Sequence, residues 1–127
     1  MSTDRRETGR AVRREVLGEA HVARSEANAT AFDAPFQAFV TEGAWGSVWS
    51  RPELTRRERS MITLAILAAL GREDEFRLHL RATANTGASA EDVREALLHV
   101  AVYAGVPAAN TAFRIAREVL AEREAER

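Results

Sequence analysis

The sequence predicts an all-α domain, and three counts predict it. Alanine occurs 25 times in 127 residues, and all 18 basic residues are arginine. Only 8 residues are aromatic and only 10 are glycine or proline, so strand formers and turn formers are both scarce. Ala, Leu, Arg and Glu lose little side-chain freedom on a helix, which is why this composition favours one. The expected architecture is a compact bundle of about six helices, formed by a single domain over residues 1–127. A chain of this size buries roughly two-thirds of its surface on folding and needs no disulfide or metal staple.

The first helix is predicted over Asp4–Leu17, with Val12, Val16 and Leu17 among five arginines, and ends at Gly18. A short polar link, His21–Asn28, leads to a second helix over Phe32–Trp45, with Phe32, Phe36, Phe39 and Val40 on one stripe. Residues 45–52, Trp-Gly-Ser-Val-Trp-Ser-Arg-Pro, are too aromatic for a solvated linker and read as an ordered connection. Thr55-Arg56-Arg57-Glu58 has the capping-box pattern and opens a helix to Leu70. That helix is apolar nearly all round, which predicts a central, fully packed position. Gly71 ends it. A helix over Arg72–Thr86 ends at Gly87, and Ser89 with Asp92 caps the next, which runs to Tyr103. Gly105 closes that helix, and Pro107 suits the first turn of a last one reaching Glu122.

Charge and composition exclude several classes. Eighteen basic against 19 acidic residues give a net charge of −1, so the basic excess that nucleic-acid binding requires is missing. No apolar run approaches the roughly 18 residues of a membrane span, and Met1–Arg14 is charged, unlike a signal peptide. A cytoplasmic protein without nucleic-acid or membrane partners is expected. With no cysteine, thiol chemistry, thiolate metal sites and disulfides are impossible. His21, His79 and His99 lie far apart without metal-ligand spacing, and Glu75 precedes His79 by four residues, not the three of a dimetal motif. No phosphate loop, dinucleotide fingerprint or nucleophile elbow is present. No metal and no cofactor are expected.

Two clusters remain. Arg72, Glu75 and His79 fall at i, i+3 and i+7 on one helix, with Phe76, Leu80 and Thr83 beside the imidazole. A histidine at an apolar border, next to a carboxylate and a guanidinium, can serve as a tuned acid or donor. The competing reading is a histidine satisfied by a backbone carbonyl, beside an ordinary surface ion pair. Trp45, Trp49 and Arg51 form the second cluster. Flat rings with a guanidinium suit a small planar acid, while tryptophans at a helix end equally suit core packing. His21 with Arg24 reads as a turn, and Glu58 as the cap partner of Thr55.

Several strings resemble the 4-carboxymuconolactone decarboxylase family. They are Arg13-Arg14-Glu15-Val16-Leu17-Gly18, His21-Val22-Ala23-Arg24-Ser25, Phe36-Gln37 and residues 45–52. Leu70-Gly71-Arg72, Leu78-His79-Leu80-Arg81-Ala82 and residues 102–110, Val-Tyr-Ala-Gly-Val-Pro-Ala-Ala-Asn, continue the match in order. The resemblance implies an AhpD-like helical fold. The wider superfamily includes peroxide-defence enzymes with a Cys-x-x-Cys-x-x-x-His motif and a relay glutamate. Here His79 matches that histidine, Arg72 and Glu75 stand at the cysteine positions, and Glu58 lies near the relay position at a longer spacing.

The resemblance further implies cofactor-independent decarboxylation of a lactone dicarboxylate to β-ketoadipate enol-lactone, in the catabolism of protocatechuate. The lactone carbonyl accepts the electron pair when CO2 leaves, so the protein must hold carboxylates, stabilise an oxyanion and donate a proton. It implies His79 as donor or acid, Glu75 as its orienting partner and His21 as a second donor. Arg51, Arg72 and Arg81 would hold carboxylates, and Trp45 or Trp49 would desolvate the departing one. A homo-oligomer, commonly a hexamer built as a trimer of dimers, is implied as well. Exposed Phe and Trp side chains would suit such packing. The alternatives are a related lactone or keto-acid decarboxylase or isomerase on the same scaffold, or a non-catalytic helical binding protein.

Overall fold

The computed structural model describes residues 2–126, which form seven α-helices, one π-helix and no strand among the described residues. The all-α prediction holds. The chain divides into two compact units, Met1–Thr55 and Arg56–Arg127. The first contains α1 (Ser2–Leu17), α2 (Glu19–Ala27), α3 (Ala34–Val40) and the π-helix Thr41–Trp49. Gly18 ends α1 as predicted, but its φ of 96° turns the chain so sharply that α2 starts at the next residue. A left-handed φ of this kind is costly for any residue with a Cβ. The predicted polar link His21–Asn28 is therefore mostly helix. Glu19 in the first turn and Arg24 in the last complement the helix dipole, and Val22 alone anchors it in the interior. With one buried residue, α2 shows no apolar period to read.

The second correction concerns the segment after α3. Asp33 and Pro35 delay the helix start to Ala34, and after Val40 the coil widens into the π-helix. That π-helix takes in Trp45–Trp49, which the sequence presents as an irregular connection. Both tryptophans are buried, whereas Phe32, Phe36 and Phe39 are exposed, so only the phenylalanines meet the expectation of exposed aromatic side chains. Hydroxyl groups line the widened coil. Thr41 Oγ1 donates to the Gln37 carbonyl at 2.8 Å, Ser47 Oγ to Glu42 at 2.7 Å and Ser50 Oγ to Gly46 at 2.7 Å.

What holds the wide coil is its contact with α1. A Cβ on Gly9 would strike the Thr41 carbonyl oxygen, and a Cβ on Gly46 would strike that of Arg5. The two backbones meet without side chains between them. Arg5 Nη1 adds a bond to Ser47 Oγ at 3.3 Å. Opposite, α1 is laced to α2 by Arg13 Nη2 donating to Ser25 Oγ at 3.0 Å and by Arg10 on Glu26 at 3.3 Å.

The second unit contains α4 (Arg56–Leu70), α5 (Glu73–Thr86), α6 (Ala90–Tyr103) and α7 (Val106–Ala125). Its helices end where the sequence places Gly71, Gly87 and Gly105, all at positive φ. The capping box at Ser89 forms as predicted: Asp92 N donates to Ser89 Oγ at 3.0 Å, and Ser89 N to Asp92 Oδ2 at 2.9 Å. Leu64, Phe76, Leu80, Leu97, Ile115 and Val119 form the core, each at most 1% exposed. Burying a side chain of this size contributes about 1.5–3 kcal/mol. The sequence predicts α4 to be packed all round, and the structure packs one flank. Ser60, Leu64 and Ala68 are buried, while Ile62, Ile66 and Leu70 are exposed. Three partner helices, α5, α6 and α7, cover only the Leu64 side.

Two predictions follow from these contacts. Gly9→Ala or Gly46→Ala forces backbone apart and should destabilise the protein by about 1–3 kcal/mol, the usual cost of overpacking. Gly43→Ala, with nothing within 4 Å of its added Cβ, should be neutral or stabilising. Denaturant melts of the three variants check this, and equal behaviour would remove the close-approach argument.

The other concerns Asp92, which also accepts two bonds from Arg57, Nε to Oδ2 and Nη2 to Oδ1, both at 2.7 Å. The Arg57 guanidinium, then the Ser89 backbone N–H, hold its carboxyl far below the usual carboxylate range. The ionised form is favoured by folding, so its contribution is complete above the unfolded pKa of about 3.9 and drains away as pH falls below it. The stability gap between the parent and Asp92→Asn should therefore be flat from about pH 5 to 8 and narrow below about pH 4. Urea melts across that range measure it.

Candidate active site

The inward face of α5 carries Phe76, Leu80 and Thr83, all buried. His79 stands at the border of that face, half-buried, with its Nδ1 atom out of solvent. Glu75 lies one turn before it and Arg72 two turns before it, both exposed. The 0, 3, 7 spacing places the three on one side of the helix, as the sequence predicts.

Arg72 is the N-cap residue of α5, with φ −88° and ψ 79°. It edges a cavity of about 210 Å³, whose walls include Leu67, Leu70, Phe76, Ala112 and Ile115. No carboxylate pairs with its guanidinium among the described residues. The other two predicted carboxylate holders are engaged. Arg51 meets Glu53 at 3.1 Å on the surface, and Arg81 meets Glu122 of α7 at 3.5 Å. The Arg81 pair belongs to a set lacing α5 to α7, with Arg77–Glu118 at 3.0 Å and Arg123 Nη1 donating to Thr83 Oγ1 at 2.6 Å.

The remaining predicted residues fall in the first unit. Trp45 and Trp49 pack on each other, ring centroids 5.1 Å apart at 32°, inside the unit. His21 borders a cavity of about 390 Å³ with Arg24, Ser25, Asn28, Asp33 and Gln37. Burial, and then the charges of Arg13 and Arg24, push its pKa below the ordinary histidine value. Within each unit, then, the structure groups Arg72 with Glu75 and His79, and His21 with Arg24. Sequence reasoning missed Arg13, Asn28 and Gln37. Arg6, Arg10 and Arg13 at i, i+4 and i+7 on α1 were the available signal. The third histidine, His99, is exposed and stacks on Tyr103 at 6.0 Å.

No group of three or more His, Asp or Glu side chains among the described residues has the arrangement of a metal site. No described helix is long and apolar enough to cross a membrane. What α5 offers chemically is an unneutralised guanidinium for a carboxylate, a shielded imidazole for a proton or hydrogen bond, and a carboxylate one turn away.

Comparison with known proteins bears out the resemblance seen in the sequence. The chain is 53% identical over 111 residues to the 4-carboxymuconolactone decarboxylase of Acinetobacter baylyi, an alignment covering 87% of this chain and 83% of that protein. It is 40% identical over 109 residues to the nitrosuccinic acid decarboxylase of Metarhizium robertsii, covering 86% of this chain and 76% of that protein. Residues 34–118 match the family described as Carboxymuconolactone decarboxylase family. On this match and these identities, the chain belongs to the carboxymuconolactone decarboxylase family.

Proposed function

We propose that this protein decarboxylates 4-carboxymuconolactone to β-ketoadipate enol-lactone, with α5 supplying the reacting side chains. The observation that carries the site assignment is Arg72, a guanidinium without a protein carboxylate, on the same helix side as the half-buried His79. The 53% identity to a protein of that activity supports the substrate. Arg72 holds the carboxymethyl arm. The C–C bond to the ring carboxylate breaks, CO2 leaves, and its electron pair delocalises through the ring double bond onto the lactone carbonyl. His79 stabilises the oxyanion or returns a proton to the ring carbon, and Glu75 orients the imidazole. A strong ion pair on the departing carboxylate would stabilise the ground state and slow its loss, so an apolar surrounding suits that group. Arg51, Arg81, His21, Trp45 and Trp49 have no role in this minimal scheme.

The second relative favours a neighbouring reading, a related acid on the same scaffold. Nitrosuccinic acid, like the lactone, has a carboxymethyl arm on a carbon that bears a second carboxylate and lies next to an electron acceptor. A decarboxylase for either substrate uses the substrate's own sink, the nitro group or the conjugated lactone. On both readings the reaction takes place in the cytoplasm. The exposed Phe32, Phe36 and Phe39, together with Ile62, Ile66 and Leu70, support assembly into a homo-oligomer, a hexamer by family likeness.

Loss of the lactone's ultraviolet absorbance on mixing with purified protein tests the assignment, with nitrosuccinate as the competing substrate. Replacing His79 by Gln should lower kcat about 10²-fold or more while the fold survives. A folded variant with parental turnover would take His79 out of the chemistry. Arg72→Gln should raise KM about tenfold or more, the scale of one charged hydrogen bond. Exhaustive chelation and dialysis should leave activity intact, because the substrate accepts its own electrons. Activity that vanishes and returns with a divalent metal would defeat the scheme.

A further inference from the structure

We propose that the first unit carries a carboxylate-binding site, formed by His21, Arg24, Ser25, Asn28 and Gln37 with Arg13 behind, that takes a small aliphatic dicarboxylate. The site is a cavity of about 390 Å³, within the range of small-molecule pockets. Five of the side chains lining it carry hydrogen-bond donors. The one acidic lining residue, Asp33, is occupied: its Oδ1 accepts from Thr30 N at 2.7 Å and from Thr30 Oγ1 at 3.3 Å. Among the described residues, Arg24 forms no ion pair, and the side chains of His21, Asn28 and Gln37 donate to no protein acceptor. A pocket rich in donors and poor in acceptors is complementary to an anion and to little else.

Arg13 strengthens the case from α1. Its Nη2 donates to Ser25 Oγ at 3.0 Å, which leaves the Ser25 O–H free to donate outward. Arg13 also lines an adjoining cavity of about 280 Å³ that shares Ser25 and Gln37 with the first. The other arginines there are matched, Arg10 with Glu26 at 3.3 Å and Arg6 with Glu42 at 3.4 Å. Arg13 and Arg24 are therefore the guanidiniums with charge to spare, one on either side of Ser25. Two such charges across one shared wall select two carboxylates over one. The charged groups around His21 are Arg13 of α1, Arg24 of α2 and Asp33 ahead of α3. The two arginines keep the imidazole neutral near pH 7, so it enters the site as a single N–H donor. A bound carboxylate reverses that bias and favours the imidazolium.

The test uses the full-length protein with labelled histidine and succinate as the probe, followed by nuclear magnetic resonance. Three histidine signals are expected, and His21→Gln identifies the one that matters. Succinate should shift the His21 signal saturably and raise its titration midpoint. Sulfate at equal ionic strength should be at least about tenfold weaker, and the uncharged diamide should have no effect. Arg24→Gln, an exposed position, should weaken succinate binding at least about tenfold, while Arg114→Gln on α7 should not change it. No saturable shift, an equal response to sulfate, or unchanged binding in Arg24→Gln would each overturn the proposal. Binding is read without turnover, so its failure is distinguishable from failure of the decarboxylase reading.

Discussion

The close approach of α1 to the π-helix is the constraint on which the first unit depends. Gly9 and Gly46 remove the Cβ atoms that would hold the two backbones apart, and the gap closes onto carbonyl oxygens. Fixing α1 there fixes its rotation. Val12 and Val16 turn inward, and Arg10 and Arg13 turn toward α2. The donors around Ser25 thus owe their grouping to two glycines 37 positions apart in the chain. Neither glycine touches the cavity.

In the second unit the organising element is the core that α5 shares with α4, α6 and α7. Phe76 and Leu80 are locked into it, so the edge of the same helix is rigid to within a side-chain rotation. A reacting group gains from such a mounting, because geometry on a packed helix is more reproducible than geometry on a loop. The lacing of Arg77, Arg81 and Arg123 to α7 works in the same direction. Individually these exposed ion pairs contribute little, roughly 0–1 kcal/mol. Their use is to set which face of α5 remains open, and Arg72 and Glu75 lie on that face.

Helix ends were the most legible part of the sequence. Gly18, Gly71, Gly87 and Gly105 all take the positive φ that their positions implied, and the Ser89–Asp92 box forms as written. These signals are local, and a local signal survives reading without a structure. What escaped was set from a distance. The π-helix depends on a backbone crossing that no short window contains, and α2 has a single buried residue to announce it. The same division runs through the candidate site. The Arg72, Glu75 and His79 spacing is visible within eight residues. That Arg81 is engaged and Arg72 is not depends on Glu122, 41 positions further on.

The π-helix has a consequence for how this chain tolerates changes in length. Its turns hold more residues than α turns, since each carbonyl bonds five positions ahead instead of four. Deleting one residue within Thr41–Trp49 would allow the coil to tighten toward α geometry, and each residue beyond the deletion would change phase by about 100°. Trp45 and Trp49 could not both keep facing inward after such a rotation. The segment therefore acts as a phase reference for the chain. Substitutions along its outer side leave that reference untouched, whereas a one-residue insertion or deletion resets it.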